Sequence, residues 1–187
     1  LATEKTRLLL DFGAMVTVLA SVHPKELSVL QELYSGCSIV STSFGDYELL
    51  GVTLIVSATE NSEDDIMVAN TAIAAGVPVN VVDNRALSTF SFPAIVDRGS
   101  IQLGIGSNGK SPSLVTKLKD DLELSLPQNL GSIADCISKM RPVVKEILPA
   151  LETRRKFWRR FLEGESADLF FSNKNSIERT RVIDLVK

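Results

Sequence analysis

The chain has 187 residues, 44% of them hydrophobic and 23% charged, with a formal net charge of −3. That length holds one ordinary domain plus an appendage, and no apolar run is long enough to span a membrane. The acidic balance argues against a nucleic-acid partner, and two well-separated cysteines, Cys37 and Cys136, suit buried thiols in a reducing cytoplasm rather than a disulfide framework.

Taken in order, short β-branched runs alternate with amphipathic segments, the pattern of βα units around a parallel sheet. Thr3 to Phe12 reads as a helix that Gly13 ends. The run Met15–Leu19 reads as a buried strand, Pro24 to Tyr34 as a helix stopped at Gly36, and Ser38–Ser41 and Thr53–Ser57 as two further strands. Ser62 is positioned to cap the next helix, with Glu63, Asp64 and Asp65 on its positive N-terminal end. Ile66, Ala69 and Ile73 share one face of that helix, and Gly76 closes it. Val79–Val82 is the fourth strand, with Asp83 at its carboxyl end, and Ala94–Val96 and Ile101–Ile105 follow as two short strands.

From Ser111 the texture turns helical. Ser111 and Pro112 open a helix to about Leu126, and Pro127 separates it from a long one over Gln128–Leu148 with Pro142 inside. Glu152–Gly164, Ala167–Phe171 and Asn175–Val186 read as helices rich in charge. The expected fold is therefore α/β: a Rossmann-like parallel sheet in residues 1–110, a helical dimerisation region in 111–150 and a helical tail in 151–187. The chain opens inside a helix at Leu1, so the first strand of such a sheet and its Gly-rich turn are expected upstream of it.

In an open α/β sheet, ligands sit beyond the carboxyl ends of the strands. Ala20-Ser21, Ala58-Thr59 and Asp83-Asn84 occupy such ends, with small side chains that admit a ligand backbone and hydroxyls that offer hydrogen bonds. His23, the single histidine, precedes Pro24 and reads as a loop residue, leaving no His-based metal site.

Three stretches carry a resemblance: Val79-Asn80-Val81-Val82-Asp83, Phe90-Ser91-Phe92-Pro93-Ala94-Ile95-Val96-Asp97-Arg98, and Gly106-Ser107-Asn108-Gly109-Lys110-Ser111-Pro112. Arg7-Leu8-Leu9-Leu10 with Gly13-Ala14, Ser57-Ala58-Thr59, Leu126-Pro127-Gln128 and Arg154-Arg155-Lys156-Phe157-Trp158 extend it over roughly residues 1 to 162. In this order the chain resembles the precorrin-2 dehydrogenase/sirohydrochlorin ferrochelatase family, the N-terminal domain type of sirohaem synthase. The resemblance implies NAD as cofactor, a tetrapyrrole substrate, a homodimer, and Fe2+ as substrate of a second reaction. It places the carboxylate serving both reactions on Asp83, and NAD contacts on Leu1, Ser21 and Val22, to which Ala58 and Thr59 are added by their strand end. A turn serine, phosphorylatable in some members, falls on Ser107. The chain departs from the family pattern at Arg85, where proline is usual, at Ser88-Thr89 in place of Cys-Asp or Cys-Asn, and at Lys110 in place of a small residue.

The chemistry suits these residues. Oxidation of precorrin-2 removes a hydride, which NAD takes, and a proton, which a positioned base takes; partial burial would raise a carboxylate towards working pH for that task. Arg98, Lys110, Lys117 and Lys119 are candidates for a positive rim around a polycarboxylate substrate, with Ser107, Asn108 and Gly109 in the adjoining turn. Lys117 and Lys119 read equally well as partners of Asp120, Asp121 and Glu123 on a solvated helix face. Phe90 and Phe92 alternate with Ser91 and so share a side, as a wall for the macrocycle or as core. Phe157, Trp158 and Phe161 read as the buried face of an amphipathic helix. Two other function classes fit the same pattern: a dinucleotide-sensing regulatory module, and a catalytically silent family member.

Overall fold

The computed structural model describes residues 1–20, 22, 24–59 and 61–163. Ser21, His23 and the helices expected over 167–171 and 175–186 lie outside the described residues. The chain forms two compact units, Leu1–Phe92 and Pro93–Lys187. The sequence places the first boundary at residue 110; the division at Phe92 arises because the strands after it pair only with each other.

In the first unit, helix α1 (Ala2–Asp11) leads to strand β1 (Val16–Leu19), helix α2 (Lys25–Leu33) and strand β2 (Cys37–Val40). Gly13, at φ 78°, ends α1 in a conformation that L side chains rarely adopt. β1 and β2 run parallel, from Val16 opposite Cys37 to Leu19 opposite Val40. Leu10 of α1 and Leu27 and Leu30 of α2 bury with Cys37 against this pair, and Val16, Val18 and Ile39 pack on them. Leu27 and Leu30 recur at helical spacing in α2, as Thr6 and Leu10 do in α1, so each helix turns one buried stripe to the strands.

After a single 3₁₀ turn over Phe44–Asp46, strand β3 (Ile55–Ser57), helix α3 (Ser62–Ala74) and strand β4 (Val79–Val81) make a second parallel βαβ unit. Its core is Val68, Ala69, Ala72, Val79 and Val81, with Ile55, Phe44 and Leu87 packed against it. The small Ala69 and Ala72, both fully buried, let α3 approach the strands closely. The four expected parallel strands are thus present as two pairs, β1–β2 and β3–β4, not as one continuous ladder.

In the second unit, β5 (Ala94–Arg98) and β6 (Ile101–Ile105) form an antiparallel hairpin, followed by α4 (Pro112–Ser125), α5 (Leu130–Ile147) and α6 (Leu151–Glu163). Gly99 takes φ 71° in the hairpin turn. α5 runs through Pro142 without ending there. Met140 and Val144 of α5 bury against Phe161 of α6, with Phe157 and Trp158 beside them. The edge-on Phe157–Trp158 and Trp158–Phe161 ring pairs account for the aromatic cluster as core, in line with the sequence reading.

Candidate dinucleotide site at the strand ends

β3 and β4 are parallel with Ser57 opposite Val81, so Ala58-Thr59 and Val82-Asp83 leave the pair at the same edge. This is the carboxyl edge, where α/β folds place ligands. At the β3 side, Asp65 organises the turn. Its Oδ1 accepts from Ser57 Oγ at 2.6 Å and from Thr59 Oγ1 at 2.8 Å. Ser57 is buried, so the bond also satisfies a hydroxyl that water does not reach. Thr59 Oγ1 is also within 2.9 Å of the Asn61 carbonyl, so its one proton is committed inward. Thr59 Oγ1 also accepts from the Asn61 N–H at 3.3 Å, so the exposed Thr59 hydroxyl keeps one lone pair, an acceptor suited to a sugar hydroxyl rather than to phosphate.

The cap of α3 is not the expected Ser62. Asn61 takes that position, its Oδ1 accepting from the Glu63 N–H at 2.9 Å. With its cap filled and Glu63, Asp64 and Asp65 in its first turn, α3 is unsuited to a pyrophosphate. α1 has Leu1 at its N-cap position with no side-chain cap hydrogen bond, and Glu4 in its first turn. Val22 is almost fully exposed, and Ala20 continues the β1–β2 ladder by donating to the Val40 carbonyl at 3.2 Å.

Asp83 is exposed and adopts φ 58°, one of two non-glycine residues described with positive φ. The sequence expectation of partial burial is not met in the single chain. It follows Val81-Val82 in a four-residue turn closed by the Asn84 N–H to the Val81 carbonyl at 3.1 Å. Past the turn, the segment folds back along the outer edge of β4. Thr89 Oγ1 accepts from the Val79 N–H at 2.8 Å, Ser88 Oγ from the Val81 N–H at 2.9 Å, and Asn80 Nδ2 donates to the Phe90 carbonyl at 3.1 Å. Phe90 and Phe92 do share a side: their rings meet edge-on with centroids 5.2 Å apart, and Lys5 Nζ lies 4.6 Å from the Phe92 centroid.

The remaining candidates sit in the second unit. Ser107 is half-buried and its Oγ accepts from the Ser111 N–H at 3.0 Å, so it serves the start of α4, which Ser111 itself does not cap. Asn108 and Gly109, at φ 54° and 72°, form the left-handed middle of this turn, and Lys110 is exposed beside it. Arg98 departs from the expected positive rim. Its side chain is 4% exposed and ion-paired to Glu123 at 2.6 Å, and its guanidinium also donates to the carbonyls of Glu123 and Asp97. A guanidinium so enclosed binds α4 to β5 rather than a ligand at the surface. Lys117 pairs with Asp121 at 2.8 Å, and the neighbouring carboxylate raises its pKa above the ordinary lysine value, in line with a solvated face.

Sequence reasoning named Asp83, Ala58 and Thr59, which the fold brings to one edge, but not the bonds that Asp65, Asn61 and Ser88 make beside them. Asp65 carried a signal, a carboxylate six residues after a strand-end threonine. Ser88 carried none, since its partners are backbone atoms brought to it by the fold.

Two parallel βαβ units with a hydroxyl acceptor at the carboxyl edge are the framework of a dinucleotide-binding α/β protein. Residues 1–94 match the family model described as "Putative NAD(P)-binding", and residues 129–180 match the "Sirohaem synthase dimerisation region". The chain belongs to that NAD(P)-binding family, in the form in which its domain precedes a sirohaem synthase dimerisation region. It is 38% identical to the siroheme synthase of Pseudomonas aeruginosa (strain LESB58) over 167 residues, covering 89% of this chain and 36% of the relative. It is 38% identical over 188 residues to that of Zymomonas mobilis subsp. mobilis, covering 100% of this chain and 40% of the relative. The chain thus spans little more than a third of the length of these curated relatives. Its fold is similar to a solved structure titled "SirC, precorrin-2 dehydrogenase", with TM-score 0.71, 18% identity, and coverage of 99% of this chain and 86% of that one.

Proposed function

We infer that this chain oxidises precorrin-2 to sirohydrochlorin with NAD, in sirohaem biosynthesis, and that the same carboxylate serves insertion of Fe2+ into the product. The observation that carries the reading is the placement of Asp83, exposed and held in a tight turn at the edge that the β3 acceptors also face. NAD, when bound, supplies the hydride acceptor. The first turn of α1 from Leu1 and the stretch of Ser21 and Val22 hold the dinucleotide, and Ala58 and Thr59 receive a sugar. Asp83 takes the proton that leaves with the hydride, so the substrate loses two hydrogens and the electrons balance.

Phe90 in the first unit is a candidate apolar face for a macrocycle, and in the second unit the turn of Ser107, Asn108, Gly109 and Lys110 is, taken by itself, a candidate set of donors to carboxylates. Arg98 contributes only through the hairpin it holds. Fe2+ enters this reading as a substrate and not as a resident metal. No helix of the described residues is long and apolar enough to cross a membrane.

The functional form is a homodimer. Within the chain, α6 covers the α5 stripe of Met140 and Val144, whereas α4 buries no residue and leaves Leu114 and Leu118 54% and 43% exposed. A second copy covers that open face. Light scattering is expected to give twice the chain mass, and Leu118→Glu to halve it; a single-chain mass for the native protein overturns the dimer.

The activity is tested by following NADH appearance with precorrin-2 generated in situ. Turnover that disappears in Asp83→Asn is expected. NAD binding without any turnover would instead favour the dinucleotide-sensing module.

A further inference from the structure

We propose that Ser88 is the positioning residue for Asp83, fixing the base by tying together the two ends of the turn that carries it. This rests on the reading of Asp83 as the base. The turn runs Val81-Val82-Asp83-Asn84, and Asp83 stands at its third position with φ 58°, a place glycine usually fills. A carboxylate there is held by its surroundings rather than by its own preference. The Ser88 hydroxyl supplies that hold. It accepts from the Val81 N–H at 2.9 Å and donates to the Asn84 carbonyl at 2.8 Å, with the Val81 carbonyl at 3.1 Å. One side chain therefore joins the first and last residues of the turn. The arrangement is itself fixed, because the Asn84 Oδ1 accepts from the Leu87 N–H at 3.3 Å and the Arg85 carbonyl from the Ser88 N–H at 3.2 Å.

Water is a poor substitute for the hydroxyl. Val81 is 2% exposed, and its N–H points away from β3, whose ladder uses the alternate amides such as Val82 N–H to the Ser57 carbonyl. Thr89 makes the equivalent pair of bonds to Val79 one step further from the turn, at 2.8 and 3.2 Å. Thr89 closes the same strand edge without touching the Asp83 turn, and so separates support of the strand from placement of the base.

The test compares Ser88→Thr and Ser88→Val, which have the same shape and differ in the hydroxyl, with Thr89→Val and Asp83→Asn alongside. Ser88→Thr is expected to retain turnover. Ser88→Val is expected to lose about tenfold or more in kcat, the scale for a catalytic group displaced by a fraction of an ångström, with little change in KM for NAD. Thr89→Val is expected to lower the melting temperature as much as Ser88→Val does but to leave kcat near native. Should Ser88→Val fail to fold, Ser88→Cys, with a weaker donor and acceptor, takes its place and is expected to fall between native and inactive. Equal kcat for the hydroxyl and non-hydroxyl variants, or equal kcat losses for Ser88→Val and Thr89→Val, overturns the proposal while leaving Asp83 as base. Native turnover in Asp83→Asn overturns both.

Discussion

The carbonyl oxygen of Arg98 stands where a side chain on Gly131 would begin: a Cβ built on Gly131 falls 1.8 Å from it. The second residue of α5 thus abuts the β5–β6 turn backbone to backbone, and Ser100 of that turn donates to Asp135 one helical turn on. Neither backbone is free to give. Gly131→Ala is expected to cost about 3 kcal/mol or more, at or beyond the usual overpacking range. Urea unfolding would show the loss as a lowered midpoint, and an unchanged midpoint would mean that α5 does not dock on the turn.

Asp83 allows stability and chemistry to be pulled apart. Asp83→Gly relieves the left-handed backbone and is expected to raise stability by about 0.5–1 kcal/mol. Asp83→Asn, whose side chain tolerates the same conformation, should leave stability nearly unchanged. Both are expected to lower dehydrogenase turnover roughly a hundredfold, as loss of a general base does. Thermal melts paired with initial rates check this, and a Gly variant that is less stable than the native chain contradicts the turn geometry.

Asp65 links a buried hydroxyl to the ligand edge. Asp65→Ala leaves Ser57 without its acceptor and is expected to cost about 1–3 kcal/mol and to weaken NAD binding. Asp65→Asn keeps an acceptor oxygen and should restore most of both. Calorimetric titration with NAD distinguishes the pair; equal affinities would remove Asp65 from the site.

Arg98 is expected to behave as a structural residue. Arg98→Met removes the clamp on Glu123 and the Asp97 and Glu123 carbonyls, so the melting temperature falls while KM for the tetrapyrrole stays within about twofold, less than the loss of one charged contact to substrate would cause. A large rise in KM at unchanged stability would return Arg98 to the substrate.

Burial pushes the Cys37 thiol above its ordinary value, so the native state keeps its proton longer than the unfolded chain does. Above the unfolded value the unfolded state binds fewer protons, and stability contributed by this group falls as pH rises further; below it the contribution is fully present. Cys37→Ala should therefore flatten the loss of stability on the alkaline side of the unfolded thiol value. An unchanged alkaline slope contradicts this.

Much of the fold was legible because local rules and tertiary packing agree. Gly13 and Gly76 ended their helices where expected, and Pro112 opened α4. The N-cap was misplaced by one residue because Asn61 and Ser62 are adjacent residues of equal capping ability, and only the chain path decides between them. Arg98 looked available since its sequence neighbours are motif residues, whereas its burial depends on Glu123, twenty-five residues away. For the site, strand ends announced Thr59 and Asp83, but the hydroxyl network behind them joins residues whose proximity only folding creates.

The row of bonds from Ser88 and Thr89 has a consequence for how the protein behaves in a crowded solution. An exposed strand edge is a template on which another chain can pair and start an aggregate. Here the outward amides of Val79 and Val81 are already spoken for by the chain's own side chains, so β4 offers a passing strand little to bond. Unlike a charged or proline-blocked edge, this seal opens whenever the 84–90 segment lifts. Variants that weaken it should therefore lose solubility on heating before they lose the helical signal of the rest of the chain.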